Sequence, residues 1–174
     1  CIRDSQLRVL EQVGSPRLRA ADTMNFWIDG AREALGKVLE RIDMLLINDE
    51  ETVQLSGEWN VLRAARAVQA MGPRQLVVKR GEHGALLLDG EEMFYCPSYP
   101  VEEVVDPTGA GDSFGGALLG YVAANGADRL RDAVVFGTAV ASFEVEGFGL
   151  DGLRELSLEA VEERVRRLRR LVAT

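Results

Sequence analysis

The 174-residue chain is 47% apolar and 28% charged, with a net charge of −8. That is the balance of one folded domain able to bury a core, and it excludes a disordered segment. The acidic surplus argues against a nucleic-acid surface, which wants a basic face, and no apolar run approaches a membrane span. In chain order, the opening "CIRDSQLRVL" is charged and amphipathic, and no signal-peptide pattern is visible in it. It begins on Cys rather than Met, so we read it as the start of a fragment of a longer chain. Leu7, Leu10 and Val13 share one face of a helix that Gly14-Ser15-Pro16 ends. Residues 17–22 form a weak strand pattern, 29–40 a helix, and "IDMLLIN" (42–48) a buried parallel strand. Helices are expected at 49–55 and 59–71, stopped by Gly72-Pro73, then a buried strand at 75–80. Residues 84–90 and 92–97 read as a hairpin around Asp89-Gly90, and 102–106 as a short strand. Helices at about 110–124 and 129–145, a Gly-rich loop at 146–152 and a helix over 157–173 with Ser157 as N-cap complete the chain.

Strands alternating with helices predict an α/β fold: a mostly parallel sheet with helices on both faces. Ligands on such sheets bind beyond the carboxyl ends of the strands. This ranks the polar residues just after strands: 22–25, 48–51, 79–84 and 106–112. The two cysteines, Cys1 and Cys96, have neither metal-ligand spacing nor the numbers of a disulfide framework. A reducing, cytoplasmic setting is therefore expected. The single histidine, His83, reads as a surface turn residue, and the acidic, Arg-rich last helix as a solvated amphipathic face.

The most informative segment is "DPTGAGDSFGGALL", residues 106–119. Gly109, Ala110 and Gly111 have almost no side chain, so their N–H groups can approach a ligand closely. They open a helix, where unpaired N–H groups and the dipole favour an anion such as phosphate. Asp112 beside such a hole would repel a phosphate, unless its task is to take a proton from an attacking hydroxyl, as phosphoryl transfer requires. The plain alternative is a glycine-rich turn with Asp112 favouring the helix dipole.

This segment resembles, without a gap, the signature of the PfkB family of carbohydrate kinases, the ribokinase-like proteins. The resemblance implies a ribokinase-like three-layer α/β/α fold, ATP with Mg²⁺ as cofactors, and a sugar or nucleoside as substrate. It assigns the catalytic base to Asp112 and the anion hole to the amides of Gly109, Ala110, Gly111 and Asp112. Asp106 and Thr108 match a monovalent-cation site, for K⁺, found in many members. "NDEE" (48–51) reads by itself as a helix N-cap pair, Asn48 with Glu51. The family has Asn-x-x-Glu at this point, placing phosphates and Mg²⁺ through water, which suits an ion that dehydrates reluctantly. "KRGEHG" (79–84) is by itself a common turn; Lys79, Gly81 and Gly84 match the family's nucleotide-side turn. Thr138 and Gly149 match positions walling the adenine pocket, although Val140 and Phe143 interrupt the usual run of alanines.

The resemblance is to the C-terminal part of the family. Neither the Gly-Gly sugar motif nor the small β lid that often forms a homodimer is found. The expectation is therefore a single domain, 1–174, the nucleotide-binding C-terminal portion of a kinase whose sugar-binding part and lid are missing. Either the rest exists in a longer parent chain, or this chain cannot phosphorylate a sugar unaided; a non-catalytic or truncated nucleotide-binding module is the first alternative, and a structural α/β domain the second.

Overall fold

The computed structural model describes residues 2–172. Cys1 and the last residue of the expected C-terminal helix, 173, lie outside the described residues. The elements run α1 (Ile2–Gln12), β1 (Ala20–Asp22), α2 (Asn25–Gly30), α3 (Arg32–Leu39), β2 (Met44–Asn48), α4 (Asp49–Ser56), α5 (Val61–Gln69) and β3 (Gln75–Lys79). After a 3₁₀ turn at Gly81–His83 come β4 (Ala85–Asp89), β5 (Glu92–Cys96), α6 (Ala110–Asn125), α7 (Leu130–Glu144), α8 (Asp151–Arg154) and α9 (Leu158–Val172). The strands form one mixed sheet in the order β1-β2-β3-β4-β5. Among the described residues no helix is long and apolar enough to cross a membrane.

The chain divides into two compact units, Cys1–Arg80 with Leu86–Phe94, and Gly81–Ala85 with Tyr95–Thr174. In the first unit, β1, β2 and β3 are parallel, with Ala20 opposite Met44 and Met44 opposite Gln75. The register of β1 is pinned at its entrance: the Arg19 amide donates to the Asp43 carboxylate (2.7 Å), and the Asp43 and Met44 amides donate to the Arg19 carbonyl. Met44 to Ile47 and Leu76 to Val78 are almost wholly buried, as the unbroken apolar runs of parallel strands require. Leu7 and Leu10 pack on this core, while Val13 lies past the end of α1 and is exposed. The expected single helix at 29–40 is two helices. Ala31 leaves the helical region (φ −147°, ψ 33°), its amide closing α2 on Trp27 and its carbonyl opening α3 through Leu35. Gly30, with its low helix propensity, sits at the break.

In the second unit α6 and α7 lie against each other, and Gly137 makes this possible. A Cβ there would stand 2.9 Å from the Phe114 carbonyl oxygen. The N-cap reading of α9 holds, since the Ala160 amide donates to the Ser157 hydroxyl (3.2 Å). The α9 face is mostly solvated, with one exception. Arg164 lies over the rings of Phe143 and Tyr99 and pairs with Glu146 at 2.9 Å. The expected strand at 102–106 is not formed. Val104 and Val105 are exposed, and the segment is held by the Val105 and Asp106 amides donating to the carbonyl of Val145. β-Branched residues favour a strand only where a partner strand and a buried face exist; this segment has a helix-end carbonyl instead.

Candidate active site

The first unit gathers one group of polar residues at the carboxyl ends of its parallel strands. Asn48 and Lys79 end β2 and β3 and are register partners, and Asp22 ends β1. The Lys79 ammonium reaches the Asp22 carboxylate at 2.6 Å, so residue 22 belongs to the group although no motif marks it. Asn48 and Glu51 form a reciprocal capping box: the Glu51 amide donates to Asn48 Oδ1 (2.7 Å), and the Asn48 amide donates to Glu51 Oε2 (3.2 Å). The capping reading is therefore correct, and it fixes where the Glu51 carboxylate stands. Burial pushes the Glu51 carboxyl up, against the pull of the Asn48 amide, the Lys79 charge and the Asn25 amide. A buried carboxylate fixed beside a lysine suits a water-mediated metal and phosphate site, which is the chemistry expected of Asn48 and Glu51. Arg80 stands 3.9 Å from Asp49 in the same unit.

The second unit holds the 106–112 turn. Asp106 organises it: Oδ1 accepts the Thr108 amide (2.9 Å) and Oδ2 the Gly149 amide (3.2 Å). The Thr108 amide and hydroxyl, then the Gly149 amide, hold the Asp106 carboxyl below its ordinary range. Gly109 is the N-cap of α6 at φ 92°, a conformation that favours glycine, and no side chain caps the helix. The Ala110 amide leans on the Pro107 carbonyl (3.3 Å). Gly111 and Asp112 follow in the first turn, where amides have no intrahelical acceptor. The Asp112 side chain is exposed. An uncapped helix start with small residues and an exposed carboxylate fits a phosphate and a hydroxyl next to it.

Glu144, the last residue of α7, was not among the residues marked by sequence. It is 1% exposed, and neither carboxylate oxygen has a partner. A Cβ on Gly109 would stand 3.0 Å from its Oε1, so the absent side chain of Gly109 makes room for it. Burial, then the charges of Asp106 and Asp112, push the Glu144 carboxyl up. The donor set of Asp106 and Glu144 fits the cation site that the resemblance attaches to Asp106 and Thr108. Thr138 is buried in α7, donating to the Val134 carbonyl (2.9 Å) and neighbouring the Cys96 thiol, which burial pushes up. Gly84 has φ 92° and presses on the backbone of Cys96 to Ser98, Gly81 opens the 3₁₀ turn at φ 52°, and His83 is an exposed residue of that turn. Among the described residues no three His, Cys, Asp or Glu side chains cluster as metal ligands.

This architecture is shared with solved proteins of ribokinase type. The chain superposes on a ribokinase from Thermotoga maritima with a TM-score of 0.76 at 27% identity, over 94% of this chain and 53% of that one. It superposes on a putative ribokinase II from E. coli, solved in complex with ATP and Mg²⁺, with a TM-score of 0.68 at 34% identity, over 82% and 45% of the two chains. A cytidine kinase from Thermococcus kodakarensis is 39% identical over 93 residues, 52% of this chain and 33% of that protein. The model of the pfkB family of carbohydrate kinases matches residues 18–154. The chain belongs to that family. It spans about a third of the curated relative and about half of the solved chains.

Proposed function

We propose that the chain is the C-terminal, nucleotide-binding portion of a kinase that transfers the γ-phosphoryl group of ATP to a hydroxyl of a sugar or nucleoside. The observation that carries this reading is the uncapped start of α6, where the Gly109–Asp112 segment presents small residues and amides beside the exposed Asp112 carboxylate. Asp112 takes the hydroxyl proton as the substrate oxygen forms its bond to the γ-phosphorus, and the bond to the bridging oxygen breaks, releasing ADP. The amides at the helix tip stabilise the charge on the transferring group. Lys79, Asn48 and Glu51 are the nucleotide-side contacts of the first unit, with Gly81, Gly84, Thr138 and Gly149 as those of the second. Mg²⁺, when bound, neutralises phosphate charge, and Glu51 is the residue that would hold its water. The relatives' names span ribose and cytidine, which supports the substrate class and leaves its member open.

The rival reading is a nucleotide-binding module of the same fold. On that reading it binds nucleotide without turnover. Calorimetry with ATP–Mg²⁺, followed by an ATP-consumption screen of the full-length protein against sugars and nucleosides, separates the two. The kinase reading predicts binding and acceptor-dependent ADP release. Binding with no release for any acceptor favours the second reading, and no binding contradicts both.

A further inference from the structure

The first unit has a second polar end. Arg19, Asp43 and Arg74 stand immediately before β1, β2 and β3, as Asp22, Asn48 and Lys79 stand at the far ends of the same strands. With Glu40 and Arg41, which follow α3, they line an open cleft of about 520 Å³ whose apolar wall includes the buried Ile42. A volume of that order takes a small metabolite. Its charge runs against that of the chain: three arginines and two carboxylates line it, while the whole chain carries −8. One wall is fixed by backbone. Gly72 lies at φ 149°, and a Cβ there would collide with the Leu39 carbonyl at the end of α3.

The arginines of this cleft are loosely held. The Arg19 guanidinium stands 4.0 Å from Asp43, beyond hydrogen-bond reach, and Asp43 Oδ2 already accepts the Arg19 amide at 2.7 Å. Arg41 and Arg74 pair with Glu11 (3.3 Å) and Asp89 (3.0 Å), carboxylates that do not line the cleft. Pairs so open to solvent are worth little, and a ligand oxygen can displace them. Guanidinium forks match a phosphate two N–H groups at a time. Glu40 and Asp43 set what else the ligand carries. They repel a bare anion, but their oxygens accept hydrogen bonds from hydroxyls. We propose that the cleft binds a phosphorylated sugar, with the arginines on its phosphate and the two carboxylates on its hydroxyls. It is a site separate from the candidate active site, at the other end of the same three strands. The ligand class includes the product of the proposed kinase; the binding itself does not rest on that reading.

The test is calorimetry of the full-length protein with ribose 5-phosphate, inorganic phosphate and ribose, without nucleotide, joined to amide hydrogen exchange to locate the binding. Ribose 5-phosphate is expected to bind more tightly than either other probe and to protect segments 40–43 and 72–74. The double variant Arg41→Gln with Arg74→Gln removes two of the three guanidinium forks. It is expected to weaken this binding at least roughly tenfold, since each lost contact is a hydrogen bond to a charged group. No binding, binding unchanged in the double variant, or protection confined to the 106–112 turn overturns the proposal. Inorganic phosphate binding as tightly as ribose 5-phosphate overturns the sugar assignment. Should the double variant not fold, Arg74→Gln alone carries the test, its side chain being 76% exposed: weakened binding supports the site, and unchanged binding overturns it. Because no turnover is read and the protected segments lie away from the 106–112 turn, a failure of the kinase reading leaves these outcomes intact.

Discussion

At the scale of single residues, Glu51 shows how one side chain carries two roles. Its carboxylate closes the capping box on Asn48, and it stands where a water-held metal is proposed. Glu51→Gln separates the two, because glutamine also serves at the third position of a capping box. The helix should form in the variant, while Mg²⁺-dependent turnover should fall by about 10-fold or more. Stability gives a second readout. Burial raises the Glu51 carboxyl, so the folded state holds a proton that the unfolded chain has released. Stability then falls as pH rises through the window above the ordinary carboxylate value. The Gln variant lacks this loss and should gain on the wild type from acid toward neutral pH, as urea titrations at pH 4 and pH 7 would measure. A gap independent of pH would contradict the cause assigned to the shift. The Asn48–Glu51 pair was legible because its partners are three residues apart. Glu144 was not: a glutamate in a helix reads as solvent-facing until the neighbouring helix and Gly109 bury it.

At the scale of elements, periodicity placed the strands 44–48 and 75–79 and the long helices well, because each is an apolar run or stripe with a clear stop. It failed where pairing decides. Residues 102–106 have strand composition but are held by the Val145 carbonyl. The helix expected over 29–40 breaks at Ala31, where the backbone leaves the helical region beside Gly30. The α6–α7 contact makes a sharper prediction. Gly137 allows the approach to Phe114, so Gly137→Val should overpack it, with a loss of about 1–3 kcal/mol in chemical denaturation. An unchanged midpoint would show that the two helices separate freely. Arg164, lodged between Phe143, Tyr99 and Glu146, shows why the solvated-face reading of α9 was incomplete: only the packed structure reveals which arginine is taken out of water.

At the scale of the whole molecule, each compact unit holds a polar group of its own. Asp22, Asn48, Glu51 and Lys79 lie in the first, and the 106–112 turn with Glu144 in the second. The α/β fold was legible because strands alternate with helices, and the family because one ungapped signature, 106–119, carries the resemblance. The substrate was not, since the roles expected of the signature, an anion hole and a base, are common to every hydroxyl acceptor. The most direct test of the account is Asp112→Asn in the full-length protein, measuring turnover and ATP affinity together. The account predicts that turnover falls by about two to four orders of magnitude while ATP affinity is roughly kept. Turnover near that of the wild type would contradict it.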